Sequence, residues 1–278
     1  MTRNTSTWIK DHSLTLYFIL AYALSWCVEI PLALYVQGVI NIKIPMAIHY
    51  LNPFGPMVAA LVMLSLTEGK SGIRALIHRW FKWRVKIRFY AFAILGPITL
   101  FTIAILINRV TSGTWPDLSL LGEADYLPYV TPFGALMVWL FTYGLGEESG
   151  WRGFALPHLQ RKYSAAKSTF ILAMFWAFWH VPAFFYRDTY IKLGMLGFPM
   201  FLVSITFASM VFTWLYNSSG GSLLLVILFH AFFNWLTVSE AGGASVGIIM
   251  SMPVILWALY VVRHYGVENA APIERQMA

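Results

Sequence analysis

Cysteine is almost absent: Cys27 is the only one in 278 residues. That excludes an intrachain disulfide, a cysteine-rich metal ribbon and a Cys-x-x-Cys redox pair. Cys27 lies in an apolar run and is expected to be a small core residue. Charge is scarce as well. Asp, Glu, Lys and Arg supply 11% of the chain, against about 25% in an ordinary soluble domain. Such a chain has too little charge to cover a water-facing surface, and no segment has the composition of a soluble domain. What it has instead is apolar sequence: 59% of residues are hydrophobic, with a mean hydropathy of +0.66. The expected architecture is all-α, a single polytopic membrane domain over residues 1–278. The net charge of +7 then serves to orient helices and to meet anionic lipid, not nucleic acid.

Hydropathy gives eight candidate spans. They cover residues 14–36, 44–66 and 89–107, a fourth from Tyr129, then 168–186, two within 193–239, and 244–262. The first apolar run has no small-residue cleavage site after it and reads as a span, not a removed signal peptide. Asn52-Pro53-Phe54-Gly55-Pro56 is expected to bend the second span, because each proline removes a backbone donor. Residues 193–239 contain no Asp, Glu, Lys or Arg. At about 1.5 Å per residue they would be roughly 70 Å long, too much for one crossing. Asn217-Ser218-Ser219-Gly220-Gly221-Ser222 is the turn that divides them.

The positive-inside rule tests this count. With a cytoplasmic N-terminus, fifteen Lys and Arg fall inside and four, Lys43, Arg109, Arg187 and Lys192, fall outside. The distribution supports eight crossings with both termini in the cytoplasm, as in a multi-pass protein of a prokaryotic plasma membrane. Residues 67–88 form a basic cytoplasmic loop. Within it, Ile73 to Trp83 interleaves basic and aromatic residues, as a short amphipathic helix on the inner membrane face or an ordinary basic loop would. The tail after His264 is expected to be short and mobile.

Ionisable residues inside spans are expensive and mark function. The densest group is Gly146-Glu147-Glu148-Ser149-Gly150-Trp151-Arg152-Gly153. Glu148 and Arg152 stand at i, i+4 and can pair, while Glu147 points about 100° away. His180 follows Trp176-Ala177-Phe178-Trp179, with Pro182 expected to bend the chain beside it. His230 and Asn234 share one face of the seventh span. Counted from the inner edge, His180 lies about 18 Å deep, His230 about 12 Å and Asn234 about 18 Å. Glu147 reaches the same layer, about 13 Å deep, only if its helix continues to about Leu156. The expectation is therefore that the motif is inside a helix, in the cytoplasmic half of the membrane. Ionisable groups at one depth on three helices resemble a constructed site. Two other polar residues are expected to sit elsewhere: Glu29 pairing with a basic residue on another helix, and His49 as a hydrogen-bonding residue near the end of span two. Trp151, Trp176, Trp179 and Phe229 are read as packing. One or two Glu and two His (Glu147, His180 and His230 are the candidates) could form a three-ligand zinc site, although no His-Glu-x-x-His helix is present.

These motifs resemble a known family. Glu147-Glu148-x-x-x-Arg152, Trp176-x-x-x-His180 and His230-x-x-x-Asn234 are similar in order and separation to the three motifs of the CPBP family. These are the CAAX proteases and bacteriocin-processing (Abi) enzymes, which include the Ras-converting CAAX endopeptidases. Residues 141–234 hold the motif region. The second motif usually has Phe where this chain has Trp176. The resemblance implies an eight-helix fold and peptide-bond hydrolysis at or within the membrane, on a membrane-associated peptide or protein. It implies Glu147 as general base, His180 as its partner on the water, and His230 and Asn234 as oxyanion donors. Glu148 and Arg152 would support Glu147, and Arg152 could also meet a substrate carboxylate. A helix rotation of about 100° would exchange the two glutamates. Both zinc-dependent and metal-free glutamate mechanisms suit the family. No Ser or Cys stands beside these histidines for a covalent route. Two other readings compete: a non-catalytic immunity or assembly factor on the same scaffold, and a transporter using Glu and His as a proton relay, for which no internal repeat speaks.

Overall fold

A computed structural model describes residues 5–124, 127 and 130–278. Among these residues the structure is helical with no strand. Six segments are long and apolar enough to cross a membrane: Ser13–Val36 (α1), Met46–Thr67, Ile87–Ser112, Ala165–Phe185, Met195–Ser218 and Ser245–Asn269. Two further helical segments, expected as spans from hydropathy, fall outside these six. Residues 132–160 carry Glu147, Glu148 and Arg152. Leu223–Thr237 has 15 residues, about 22 Å of helix against a hydrocarbon core of roughly 30 Å.

The second segment is bent where its prolines predict. A 3₁₀ turn, Met46–Leu51, gives way at Pro53 to the helix Phe54–Thr67 (α2). The basic interleaved stretch is helical, Lys70–Trp80 (α3), and Ile87–Ser112 (α4) follows. Residues 132–160 (α5) form one unbroken helix, as the depth argument requires. Its start is fixed by Thr131, whose hydroxyl accepts from the Gly134 N–H at 3.1 Å, and by Pro132 in the first turn. Two stretches of α5, Leu140–Glu147 and Trp151–Ala155, open into wide π turns. Such turns are rare and tend to occur at functional sites. Tyr129, the expected start of this span, and Asp125 lie outside the described residues.

Ala165–Trp179 (α6) stops at His180, and Pro182 falls in the 3₁₀ turn Val181–Phe185 that follows. Phe198–Ser218 (α7) and Leu223–Thr237 (α8) are joined at Gly220 and Gly221, with φ of 66° and 85°. L-residues with side chains avoid that region, so the turn depends on the two glycines. Gly243–Asn269 (α9) ends the helical part, with a break at Gly266.

α5 is the central element, packed between α2 and α8. Its closest approach to α2 runs along Gly146 and Gly150. A methyl group on Gly146 would stand 2.6 Å from the Pro53 carbonyl oxygen, and one on Gly150 would stand 2.5 Å from Pro56 Cβ and from the Tyr17 hydroxyl. Small residues at this spacing let helix backbones touch. Because backbone blocks both positions, Gly150→Ala is expected to destabilise the fold by about 1–3 kcal/mol. A thermal melt in detergent measures this, and an unchanged melting temperature would show that the helices can separate freely.

Two expectations are corrected. Cys27 is exposed, not a core residue. α1 buries Tyr17, Ala21, Ser25, Glu29 and Leu32, a stripe at helical spacing, and Cys27 lies off it. The C-terminal segment is tied down and not a free tail. Gln160 Nε2 donates to the Gln276 carbonyl at 2.7 Å, Arg275 Nε donates to the Gln160 carbonyl at 3.0 Å, and Asn217 Nδ2 donates to the Asn269 carbonyl at 2.9 Å.

Candidate active site

The two adjacent glutamates have different partners. Glu147 and Glu148 are both buried, at 1% and 0% exposure, and so is Arg152, at 0%. Glu148 Oε1 accepts from Arg152 Nη1 at 3.0 Å, the i, i+4 pair, and from His230 Nδ1 of α8 at 2.7 Å. Glu147 turns towards α6, where its Oε2 accepts from the indole N–H of Trp176 at 2.7 Å. The two carboxylates thus have two separate sets of contacts.

Arg152 is enclosed. Its Nη2 donates to Ser209 Oγ on α7 at 3.0 Å. Its guanidinium lies 4.3 Å from the Trp176 ring centre and 4.5 Å from that of Phe212. A charge this deep needs such company, since a bare buried cation costs several kcal/mol. The expectation that Arg152 could meet a substrate carboxylate is corrected: salt bridge, hydroxyl and two aromatic faces surround it, with no exposed surface left.

The histidine tautomers follow from their partners. His180 Nδ1 lies 2.7 Å from the Trp176 carbonyl oxygen. A carbonyl only accepts, so Nδ1 carries the proton and Nε2 of a neutral ring is an acceptor. His230 Nδ1 faces a carboxylate oxygen and is likewise the donor, leaving Nε2 for another partner. Asn234, one turn on, is half-buried, and its side chain makes no hydrogen bond among the described residues. The structure therefore gathers Glu147, Glu148, Arg152 and His230 in one cluster. His180 stands behind Trp176, with ring centres 6.0 Å apart.

Trp176 and Ser209 are site residues that the sequence reading missed. Trp176 was assigned to packing, and its ring does lie edge-on to His230 at 5.8 Å. The signal available was its place in the second motif with an N–H that a buried indole usually satisfies. Trp151, Trp179 and Phe229 are packing residues as expected, all within the main core.

A second polar network reaches α5 at Tyr143, four residues before Glu147. Tyr186 donates to Glu29 Oε1 at 2.9 Å, and Asn52 Nδ2 donates to the same oxygen. His49 bridges the Tyr186 hydroxyl, at 2.6 Å, and the Tyr143 hydroxyl. With the Tyr186 proton committed to Glu29, His49 Nδ1–H donates to Tyr186 and Nε2 accepts from Tyr143. His49 is a hydrogen-bonding residue, as expected. Glu29, expected to pair with a basic residue, takes its hydrogen bonds from a phenol and an amide.

The donor set does not fit zinc. Among the described residues no three His, Cys, Asp or Glu side chains converge as a ligand set. Glu147 Oε2, His180 Nδ1 and His230 Nδ1 are each taken by a protein group, an indole, a carbonyl and a carboxylate.

Fold and site together define a multi-pass helical membrane protein with a buried carboxylate–histidine centre. Residues 129–236, which hold all three motifs, match the model of the family described as Type II CAAX prenyl endopeptidase Rce1-like. A relative, CAAX prenyl protease 2 of Methanococcus maripaludis, is 23% identical over 184 residues, 64% of this chain and 67% of its own length. The region that carries the motifs is thus similar to the CPBP, or CAAX protease, family.

Proposed function

We propose that this protein is a membrane endopeptidase that hydrolyses a peptide bond of a prenylated, CAAX-type substrate with an activated water. The observation that carries the reading is the separation of Glu147 from Glu148. One carboxylate is held by a single neutral donor, while its neighbour's Oε1 accepts from both Arg152 and His230; each keeps its second oxygen without a hydrogen bond among the described residues. Such a pair suits one base and one structural anion. The similarity to CAAX prenyl endopeptidases supports the reaction class and the substrate class.

In this mechanism Glu147 Oε1 takes a proton from water, and His180 Nε2 holds the same water. The water oxygen attacks the peptide carbonyl carbon. His230, doubly protonated so that Nδ1–H stays on Glu148 while Nε2–H is free, and Asn234, presenting its amide, donate to the oxyanion. The C–N bond breaks as Glu147 passes its proton to the leaving nitrogen. Glu148, fixed by Arg152, orients His230 and places a negative charge behind it. No step is routed through a metal, because the residues present do not form a ligand set.

The protein is proposed to cross the membrane eight times with both termini in the cytoplasm of a prokaryotic cell. α5 and α8 supply the two crossings that ordinary length and apolarity leave out. The fifteen-to-four distribution of Lys and Arg supports this orientation. The site then lies in the cytoplasmic half of the bilayer.

The test uses purified full-length protein in liposomes and an internally quenched, farnesylated peptide ending in a CAAX sequence. Cleavage is expected, with the cut located by mass spectrometry, and the rate is expected to persist within about twofold after exhaustive chelation. A folded protein that leaves the peptide intact would overturn the reading. Stoichiometric zinc whose removal and return switch activity off and on would overturn the metal-free route alone.

A further inference from the structure

Trp176 contacts Glu147, His180, Arg152 and His230. Its indole N–H donates to Glu147 Oε2 at 2.7 Å. Its backbone carbonyl accepts from His180 Nδ1 at 2.7 Å. Its ring covers the Arg152 guanidinium at 4.3 Å and stands edge-on to His230 at 5.8 Å. The second motif of the family usually places Phe here, which offers the same ring face and the same carbonyl but no N–H.

We infer that Trp176 is a positioning residue whose indole N–H selects Glu147 Oε1 as the proton-accepting oxygen. The inference rests on the proposed role of Glu147 as base. An indole N–H donates and cannot accept. The hydroxyl oxygen of a carboxylic acid is the poorer acceptor, so this bond favours keeping Oε2 unprotonated both before and after Glu147 takes a proton from water. Oε2 is bound in this way throughout, so the proton arrives at Oε1. The same bond prevents the carboxylate from rotating about its last torsion, which is otherwise broad and weakly held. Both the site of proton transfer and its direction are thereby fixed before the substrate binds. Where Phe stands in this position, the carboxylate must be oriented by something else.

The first variant is Trp176→Phe, which keeps an aromatic ring and the backbone carbonyl to His180 and removes the N–H together with part of the ring. Replacing Trp176 with 3-benzothienylalanine, in which sulfur takes the place of N–H, keeps the full ring shape and serves as the second variant. Steady-state cleavage of the farnesylated peptide is measured for both. A hydrogen bond to a charged group corresponds to about 10–100-fold in rate. The expected result is a kcat lower by that factor in both variants, with KM within about twofold of wild type. A bulk-packing role predicts instead that the benzothienyl variant retains wild-type kcat, and that result overturns the inference. So does a rise in KM at constant kcat.

A readout independent of activity completes the test. The indole N–H Raman band assigned to Trp176, by its loss in Trp176→Phe, is expected to shift towards the non-bonded position in Glu147→Ala. A band that does not move shows that the bond is not made, and also overturns the inference. If wild-type protein cleaves nothing while the band behaves as expected, the proposed function fails and the contact stands. The two failures are therefore distinguishable.

Discussion

Glu147→Gln is expected to reduce peptide hydrolysis by at least about 10³-fold while the protein stays folded. Glutamine matches glutamate in size, and its amide oxygen can still accept the Trp176 N–H. What it cannot do is take a proton from water at neutral pH. General base catalysis contributes about 10²–10⁴-fold, and loss of the base also removes the proton delivered to the leaving nitrogen. The melting temperature in detergent is expected to change by no more than a few degrees, because Glu147 takes part in no salt bridge among the described residues. The comparison that gives this result meaning is Glu148→Gln. That variant should lose activity through a misoriented His230 and should also lose stability, since Arg152 keeps a hydrogen-bond partner but not a counter-charge. If Glu148→Gln were the inert, fully stable protein and Glu147→Gln the active one, the assignment of the two carboxylates would be reversed.

The second large effect concerns stability. Glu148→Ala leaves the Arg152 guanidinium, at 0% exposure, with Ser209 and two aromatic faces but no anion. Removing one partner of a buried ion pair costs about 3–5 kcal/mol, a large fraction of the margin of a typical fold. The expected outcome is a poorly folded protein with a melting temperature far below wild type. Replacing both charges, as in Glu148→Leu with Arg152→Met, removes the stranded cation together with its partner. That double variant is expected to recover most of the lost stability and none of the activity, because His230 has lost the oxygen that orients it. Thermal melts of the two single variants and the double variant give the coupling directly. Additive losses would show that the pair does not act as a unit and that Arg152 is stabilised mainly by its aromatic neighbours.

Much of this site can be read from the chain because membrane helices penalise polar residues so heavily. Glu147, Glu148, Arg152, His180 and His230 stand out against apolar neighbours, and the i, i+4 rule pairs Glu148 with Arg152 without any structure. The depth argument also requires α5 to continue past the glutamates, and it does. The sequence does not reveal contacts made by residues whose chemistry is ambiguous. Trp176 can pack or donate, and only its direction decides which. Ser209 is one of many hydroxyls in helices, where most bond the carbonyl one turn back. The Glu29–Tyr186–His49–Tyr143 network joins residues up to 157 positions apart, with no local spacing to announce it. Cys27 illustrates the opposite error. In a membrane an apolar run is apolar on every side, so hydrophobicity does not say which face is buried. The tail after His264 looked free because its anchors, Gln160 and Asn217, form ordinary amide hydrogen bonds that no composition rule foresees.

The wide turns in α5 make chain length part of the chemistry. Each accommodates more residues per turn than an α-helix does. Deleting one residue between Leu140 and Glu147 could leave a continuous, well-packed rod. Everything before the deletion would then be rotated by about 100° against everything after it. Gly146 and Gly150 hold their face against α2, so the carboxylates and the upstream residues could not both stay in register. A gap of one position in this helix therefore has a meaning that the same gap in the connection before Thr131 lacks: it changes which carboxylate meets the indole and which meets the imidazole.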